Sequence, residues 1–202
     1  MLASGQGSNF QAVVDASARG ELPLEITSLV TNRPNAYALT RATEAGIATH
    51  VEPWRRDVES RDSYDARLVR VVAETEPDIV LLLGWMHVLP ATFIARFPQL
   101  LNVHPAFLPL DPAADVVTMP DGTTIPAFRG AHAFDDALAA GSTWTGASVH
   151  RVNVAVDRGV VIARAPLRID DGGGRPELEA RLHALEHRVP SAALARWCWE
   201  QR

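Results

Sequence analysis

The run Ile79-Val80-Leu81-Leu82-Leu83 limits most tightly what this chain can fold into. Five apolar residues without alternation, opened by Pro77-Asp78 and closed by Gly84, predict a strand buried on both faces. Such strands belong to parallel sheets, and parallel strands need long crossovers, usually helical. The segment before the run supplies one. From Ser60 onward, Tyr64, Leu68, Val71 and Val72 recur at i, i+4, i+7 and i+8.

The same alternation extends along the chain. Ser8 is placed to cap a helix that passes through residues 11–14 and ends at Gly20. Residues 26–30 read as a buried strand, and Asn32-Arg33-Pro34 turns into a helix stopping near Gly46. A short strand at 47–51, a short helix at 90–97 and a strand at 100–103 follow. Between Pro105 and Gly130 the character changes: five prolines and the turn signal Asp121-Gly122 predict a long loop with a small hairpin, to which Val116, Val117 and Ile125 give an apolar face. A helix is expected at 132–140, strands at 144–152 and 160–163, a glycine-rich turn at 170–175, and a last helix at 177–199 broken or bent at Pro190. The expected fold class is α/β, an open, mostly parallel twisted sheet with helices on both faces. The chain reads as one domain over 1–202, with a loop insertion at about 107–129 that leaves the end of a strand and is expected to lie over the active site.

Composition narrows the function. A net charge of −5 argues against a general nucleic-acid binder, which normally shows a basic face. The one cysteine, Cys198, excludes a disulfide framework and a thiolate metal cluster. All 19 basic residues are arginine, so a Walker-type phosphate lysine and a Schiff-base lysine are both impossible. The opening MLASGQGSNF has no basic n-region or long apolar stretch, and no run approaches the ~20 apolar residues of a membrane span. A cytoplasmic protein with small-molecule substrates, monomeric or a weak homodimer, is the simplest expectation.

Two segments offer chemistry. Ser4-Gly5-Gln6-Gly7-Ser8-Asn9 lies where a first strand passes into a first helix; glycines permit the turn, and the exposed N–H groups of a helix start suit a phosphate. It also reads as a plain connector, and it lacks the third glycine of the dinucleotide fingerprint. Asn102-Val103-His104-Pro105 ends a predicted buried strand, with Asn102 and His104 on the same side. An asparagine amide can donate to a developing oxyanion and an imidazole can move a proton, although a histidine there can equally serve a loop hydrogen bond. Asp157, between two strands, is either a turn residue or a carboxylate that orients a nearby imidazole. The other histidines show no metal-ligand spacing, so no metal is expected.

Taken in order, Ser4-Gly5-Gln6-Gly7-Ser8-Asn9, Asn102-Val103-His104-Pro105 and Asp157-Arg158-Gly159 resemble the folate-dependent glycinamide ribonucleotide formyltransferases of purine biosynthesis. Supporting matches are Ala45-Gly46-Ile47, Ser60-Arg61-Asp62-Ser63-Tyr64-Asp65, Gly84-Trp85-Met86, Thr145-Gly146-Ala147-Ser148-Val149-His150 and Leu185-Glu186-His187. The resemblance covers nearly the whole chain. It implies that Gly7, Ser8 and Asn9 hold the ribonucleotide phosphate and that Glu186 lies near the glycinamide. It implies that Arg61, Met86, His87, Val88, Leu89 and Asn102 contact 10-formyltetrahydrofolate, the formyl donor. Asn102, His104 and Asp157 become the catalytic set, with His104 kept protonated by Asp157. His87 stands where many relatives carry a longer polar side chain, so its folate role is expected to rest on backbone groups.

Two rival readings share part of the pattern. A formyltetrahydrofolate hydrolase (deformylase) uses a similar Asn-His-Asp set but lacks the Gly-x-Gly-Ser-Asn turn, and a non-catalytic nucleotide- or folate-binding relative would explain the long 107–129 segment. Only Met1, Leu2 and Ala3 precede Ser4, too few for a full central strand. The expectation is that such a stub leaves neighbouring backbone groups unpaired and that the native start lies upstream.

Overall fold

The computed structural model describes residues 1–169 and 174–200. The chain divides into two compact units, Met1–Leu101 and Asn102–Arg202.

In the first unit Leu2 bridges in parallel to Val30 of β1 (Ser28–Thr31) and to Leu82 of β3 (Val80–Leu82). Leu2 N donates to Leu81 O, Ala3 N to Val30 O, Val30 N to Met1 O and Leu83 N to Leu2 O. The expectation of unpaired neighbours is therefore corrected: this stub hydrogen-bonds on both sides. β1 pairs in parallel with β2 (Ala48–Val51). It begins two residues later than the apolar run suggested, because Ile26 is only half-buried and Thr27 exposed, whereas all of β1 is buried.

Helix α1 (Ser8–Ala18) starts one residue earlier than a serine cap would allow. The cap is Gly7 at φ 69°, without a side-chain cap bond, and Ser8 is already helical. Glycine is required there twice over. A Cβ would lie 2.7 Å from the Cβ of Ala38, the first residue of α2 (Ala38–Glu44), and the left-handed conformation disfavours other side chains. Helix α3 (Arg61–Ala73) is capped by the Ser60 hydroxyl, which accepts from Ser63 N, and buries Tyr64, Leu68 and Val72 as the periodicity predicts. Val71 is only half-buried, and Asp65 is buried beside the apolar stripe. Helix α4 (Ala91–Arg96) is short, as expected.

Strand β4 (Leu100–His104) carries the chain into the second unit, where the strand order is β4, β7 (Trp144–Arg151), β8 (Val161–Arg168). β7 and β8 pair antiparallel, with a bulge at Val149/His150. β8 runs to Arg168 rather than stopping at Ala163. Its second half, Arg164-Ala165-Pro166-Leu167-Arg168, gives no hydrophobic period; it is paired residue by residue with β7, and its arginines lie over aromatic rings, Arg164 on Phe107 and Arg168 on Trp144.

The 107–129 segment contains the expected hairpin, β5 (Val116–Thr118) with β6 (Thr124–Pro126), turning at Asp121-Gly122. Val117 and Ile125 face each other and pack with Phe107 and Met119, against Phe128 and Trp144. Val116 is exposed, since alternation turns it to the opposite face from Val117, so it does not join the apolar side expected of it. Helix α5 (Ala133–Ala139) follows, and α6 (Gly174–Glu200) packs on β7 and β8. α6 is continuous through Pro190, so the helix is bent at most and not broken there; the proline withdraws the N–H that Glu186 O would accept. Of the glycine-rich turn expected at 170–175, Gly174 and Arg175 are helical and residues 170–173 lie outside the described residues. Among the described residues, no helix is long and apolar enough to cross a membrane.

Candidate active site

The side chains of Asn102, His104 and His150 meet in the second unit around one carboxylate, that of Asp157. Asp157 sits on the turn from β7 to β8 at φ 53°, a conformation that non-glycine residues seldom adopt. Gly159 makes that turn possible. A Cβ there would lie 1.5 Å from Arg151 O, so only a glycine lets the chain fold back onto β7. Oδ2 of Asp157 accepts from Gly130 N at 2.7 Å and lies 3.4 Å from His104 Nδ1. Oδ1 lies 3.3 Å from His150 Nε2 and 3.5 Å from Asn102 Nδ2. Burial alone would push this carboxyl up; the His150 hydrogen bond, the neighbouring His104 and the Gly130 N–H reverse that and hold it down at about 2.

His104 and Asn102 come from the end of β4, on the same side of the strand as the sequence predicts. His104 is buried, and its Nε2 lies 2.9 Å from Phe128 O. A carbonyl only accepts, so Nε2 carries a proton. Burial lowers the His104 pKa, opposed only in part by Asp157 and the Phe128 carbonyl. The direction runs against the expected resting imidazolium. Asn102 Nδ2 lies 3.2 Å from His150 Nε2, and His150 Nδ1 lies 2.8 Å from Arg151 O. The Arg151 carbonyl only accepts, so Nδ1 of His150 carries a proton.

His150 is the member that sequence reasoning left out. It was visible only as part of Thr145-Gly146-Ala147-Ser148-Val149-His150. The usable signal was a fully buried-strand position holding a histidine, seven residues before Asp157. Glu186, also in this unit, is buried in α6, and burial alone raises its carboxyl to about 7.

The remaining expected residues lie in the first unit. Gly7, Ser8 and Asn9 form the start of α1, and Asn9 Oδ1 is buried without a hydrogen-bond partner. Arg61 Nε donates to both carboxylate oxygens of Asp65, at 2.8 and 2.9 Å, and Arg61 Nη2 donates to Val88 O. Met86 N donates to the Ser4 hydroxyl at 3.0 Å. Met86 and Val88 are exposed and Leu89 is buried. The His87 ring meets Trp54, Tyr64 and Trp85 edge-on, with centroids 5.7 to 6.2 Å apart, and burial beside Arg61 and Arg56 lowers its pKa.

Residues 1–119 and 122–194 match the family described as formyl transferase. The chain is 33% identical over 190 residues to the phosphoribosylglycinamide formyltransferase of Escherichia coli, covering 94% of this chain and 81% of that one. It is 35% identical to the enzyme of the same name from Schizosaccharomyces pombe, covering 93% and 90%. Among solved structures, the glycinamide ribonucleotide transformylase 1 of Symbiobacterium toebii superposes with a TM-score of 0.83 at 31% identity, covering 96% of this chain and 84% of that one. The Bacillus halodurans phosphoribosylglycinamide formyltransferase gives 0.85 at 27% identity, covering 100% and 95%. The open, mostly parallel α/β fold is theirs, and the chain belongs to the phosphoribosylglycinamide formyltransferases of the formyl transferase family.

Proposed function

We propose that the chain moves a formyl group from 10-formyltetrahydrofolate to the amine of 5′-phosphoribosylglycinamide, with Asn102, His104 and Asp157 as its reacting groups. The observation that carries this is a single buried carboxylate flanked by two imidazoles and an asparagine amide, in a chain of this family. The neutral amine attacks the formyl carbon. As the C–N bond forms, Asn102 gives up its long contact with Asp157 and donates to the oxyanion. The proton lost by the amine passes to His104 Nδ1, where Asp157 stabilises the new imidazolium, and from there to N10 of the folate as the old C–N bond breaks. The low pKa directions of His104 and Asp157 suit this sequence: a base that is neutral at rest beside a carboxylate that stays ionised. No covalent intermediate on the enzyme is needed.

Gly7, Ser8 and Asn9 take the ribonucleotide phosphate through the N–H groups at the start of α1, whose dipole favours an anion. Glu186 lies toward the glycinamide. Arg61 and residues 86–89 serve the folate, His87 through backbone groups, since its ring is packed among aromatic side chains. No metal takes part. The test is turnover of 10-formyltetrahydrofolate with and without phosphoribosylglycinamide. Formylated product formed only with the ribonucleotide supports the assignment. Formate released at the same rate without it indicates the hydrolase, and no turnover in either case indicates a binding relative.

A further inference from the structure

The segment at 107–129 does more than enclose a hairpin. Its far end touches the site directly: Gly130 N binds Asp157 Oδ2, Phe128 O holds His104 Nε2, and Arg129 Nε donates to Asp157 O at 3.3 Å. The same Arg129 reaches back across the segment, with Nη2 on Ala114 O at 2.6 Å and Nη1 on Asp115 Oδ1 at 3.3 Å. From the other side Arg158, next to Asp157, donates to Asp115 Oδ1 at 2.5 Å and to the carbonyls of Pro112 and Ala113 at 3.2 and 3.3 Å. Two guanidinium groups thus join the two ends of the segment to the turn that carries Asp157, sharing one carboxylate.

We infer that Arg129 and Arg158, drawn together by Asp115, are positioning residues that hold Asp157 and His104 in reacting geometry, so that the inserted segment is a buttress of the catalytic centre rather than a mobile cover. The inference rests on the assignment of Asp157 and His104 made above. Two observations and the chemistry of the guanidinium group support it. Asp157 is in a left-handed conformation that needs outside restraint, and its backbone carbonyl is the atom Arg129 holds. The segment has its own apolar cluster, Phe107, Val117, Met119 and Ile125, packed against Trp144 of β7, and Trp144 Nε1 donates to Asp121 at 2.9 Å. A planar guanidinium can bind two or more acceptors at fixed angles, which suits a brace better than an ammonium would.

The experiment compares Arg129→Ala, Arg129→Lys, Asp115→Asn and Asp157→Asn in the full chain, measuring kcat, both KM values and the melting temperature. Displacing a reacting group by about 1 Å costs up to ~100-fold. Arg129→Ala is expected to lower kcat at least tenfold with both KM values within twofold. Lysine should fail to restore it, whereas tens of millimolar guanidinium ion should recover part of the loss, and should not rescue Asp157→Asn. Asp115→Asn keeps the fold, because that side chain is largely exposed, and should lower kcat by about threefold. If Asp157→Asn abolishes turnover while Arg129→Ala and Asp115→Asn keep the wild-type kcat, the positioning role is wrong and the catalytic assignment stands. If Arg129→Ala does not fold, Asp115→Asn alone decides: an unchanged kcat overturns the proposal. If Asp157→Asn turns over normally, the catalytic assignment fails and this inference falls with it.

Discussion

Replacing Glu186 by glutamine should make the protein more stable, and more so as pH rises. The carboxyl is buried in α6, no charged neighbour offsets the burial, and its pKa stands at about 7 against an ordinary 4.5. Below about pH 4.5 the group is protonated in both folded and unfolded chains and has no effect. Between there and about 7 the folded state keeps a proton that the unfolded state releases, so stability falls with rising pH. Above 7 both states are ionised and the full cost remains. At ~1.4 kcal/mol for each tenfold in acidity, a rise from 4.5 to about 7 amounts to about 3 kcal/mol. Glutamine fills nearly the same space without the charge. The assay is urea unfolding of wild type and Glu186→Gln at pH 5, 6, 7 and 8. With m of ~2–3 kcal/mol/M for a chain of this size, the two midpoints should differ little at pH 5 and by about 1 M at pH 8. Midpoints that keep a constant separation from pH 5 to 8 would refute the reasoning.

The other predictions follow from single contacts. Asp157→Asn should keep the fold and lower kcat by ~10²–10³, because an amide cannot stabilise the imidazolium; wild-type kcat across pH 6–9 rules that out. The same carboxylate, held near 2, adds stability that is complete above its ordinary 3.8 and is lost as pH falls toward 2, so acid unfolding should begin at higher pH in wild type than in a chain whose Asp157 is already neutral, relative to each one's plateau. Gly7→Ala must displace Ala38 and force a left-handed alanine, at ~1–2 kcal/mol for the backbone alone; the melting temperature should fall and the ribonucleotide KM rise more than the folate KM. Ile125→Ala, in the hairpin cluster, should cost ~2–5 kcal/mol, and a loss under 1 kcal/mol would mean the cluster is not well packed.

Much of the fold is legible wherever local chemistry and burial agree. The α3 stripe of Tyr64, Leu68 and Val72 behind Ser60, the run at β3 and the turn at Asp121-Gly122 all state their own conformation. What stays hidden is set by partners distant in sequence. β8 continues past Ala163 because β7 pairs with it, through residues whose side chains carry no period. α6 passes Pro190 because packing on β7 and β8 outweighs one missing hydrogen bond. Asn102 and His104 could be placed on one side of a strand from alternation alone. His150, Arg129 and Arg158 could not be joined to Asp157, because only the folded chain shows which of seven histidines and 19 arginines reach it.

The hairpin also bears on the order in which the molecule assembles. Its bonds, such as Met119 N to Thr123 O, span a few residues, and a hairpin of this kind closes in about 1–10 μs. The bonds that make the catalytic centre span 27 residues from Gly130 to Asp157 and 55 from Asn102 to Asp157, and contacts so distant form late because the entropy of closing the chain comes first. The hairpin's own bonds are local and are expected to close before the Asp157 turn arrives, whereas its apolar side is completed only with Phe107 and Trp144. Reactivity is then expected to come late in folding, with the long-range contacts that set the Asp157 turn.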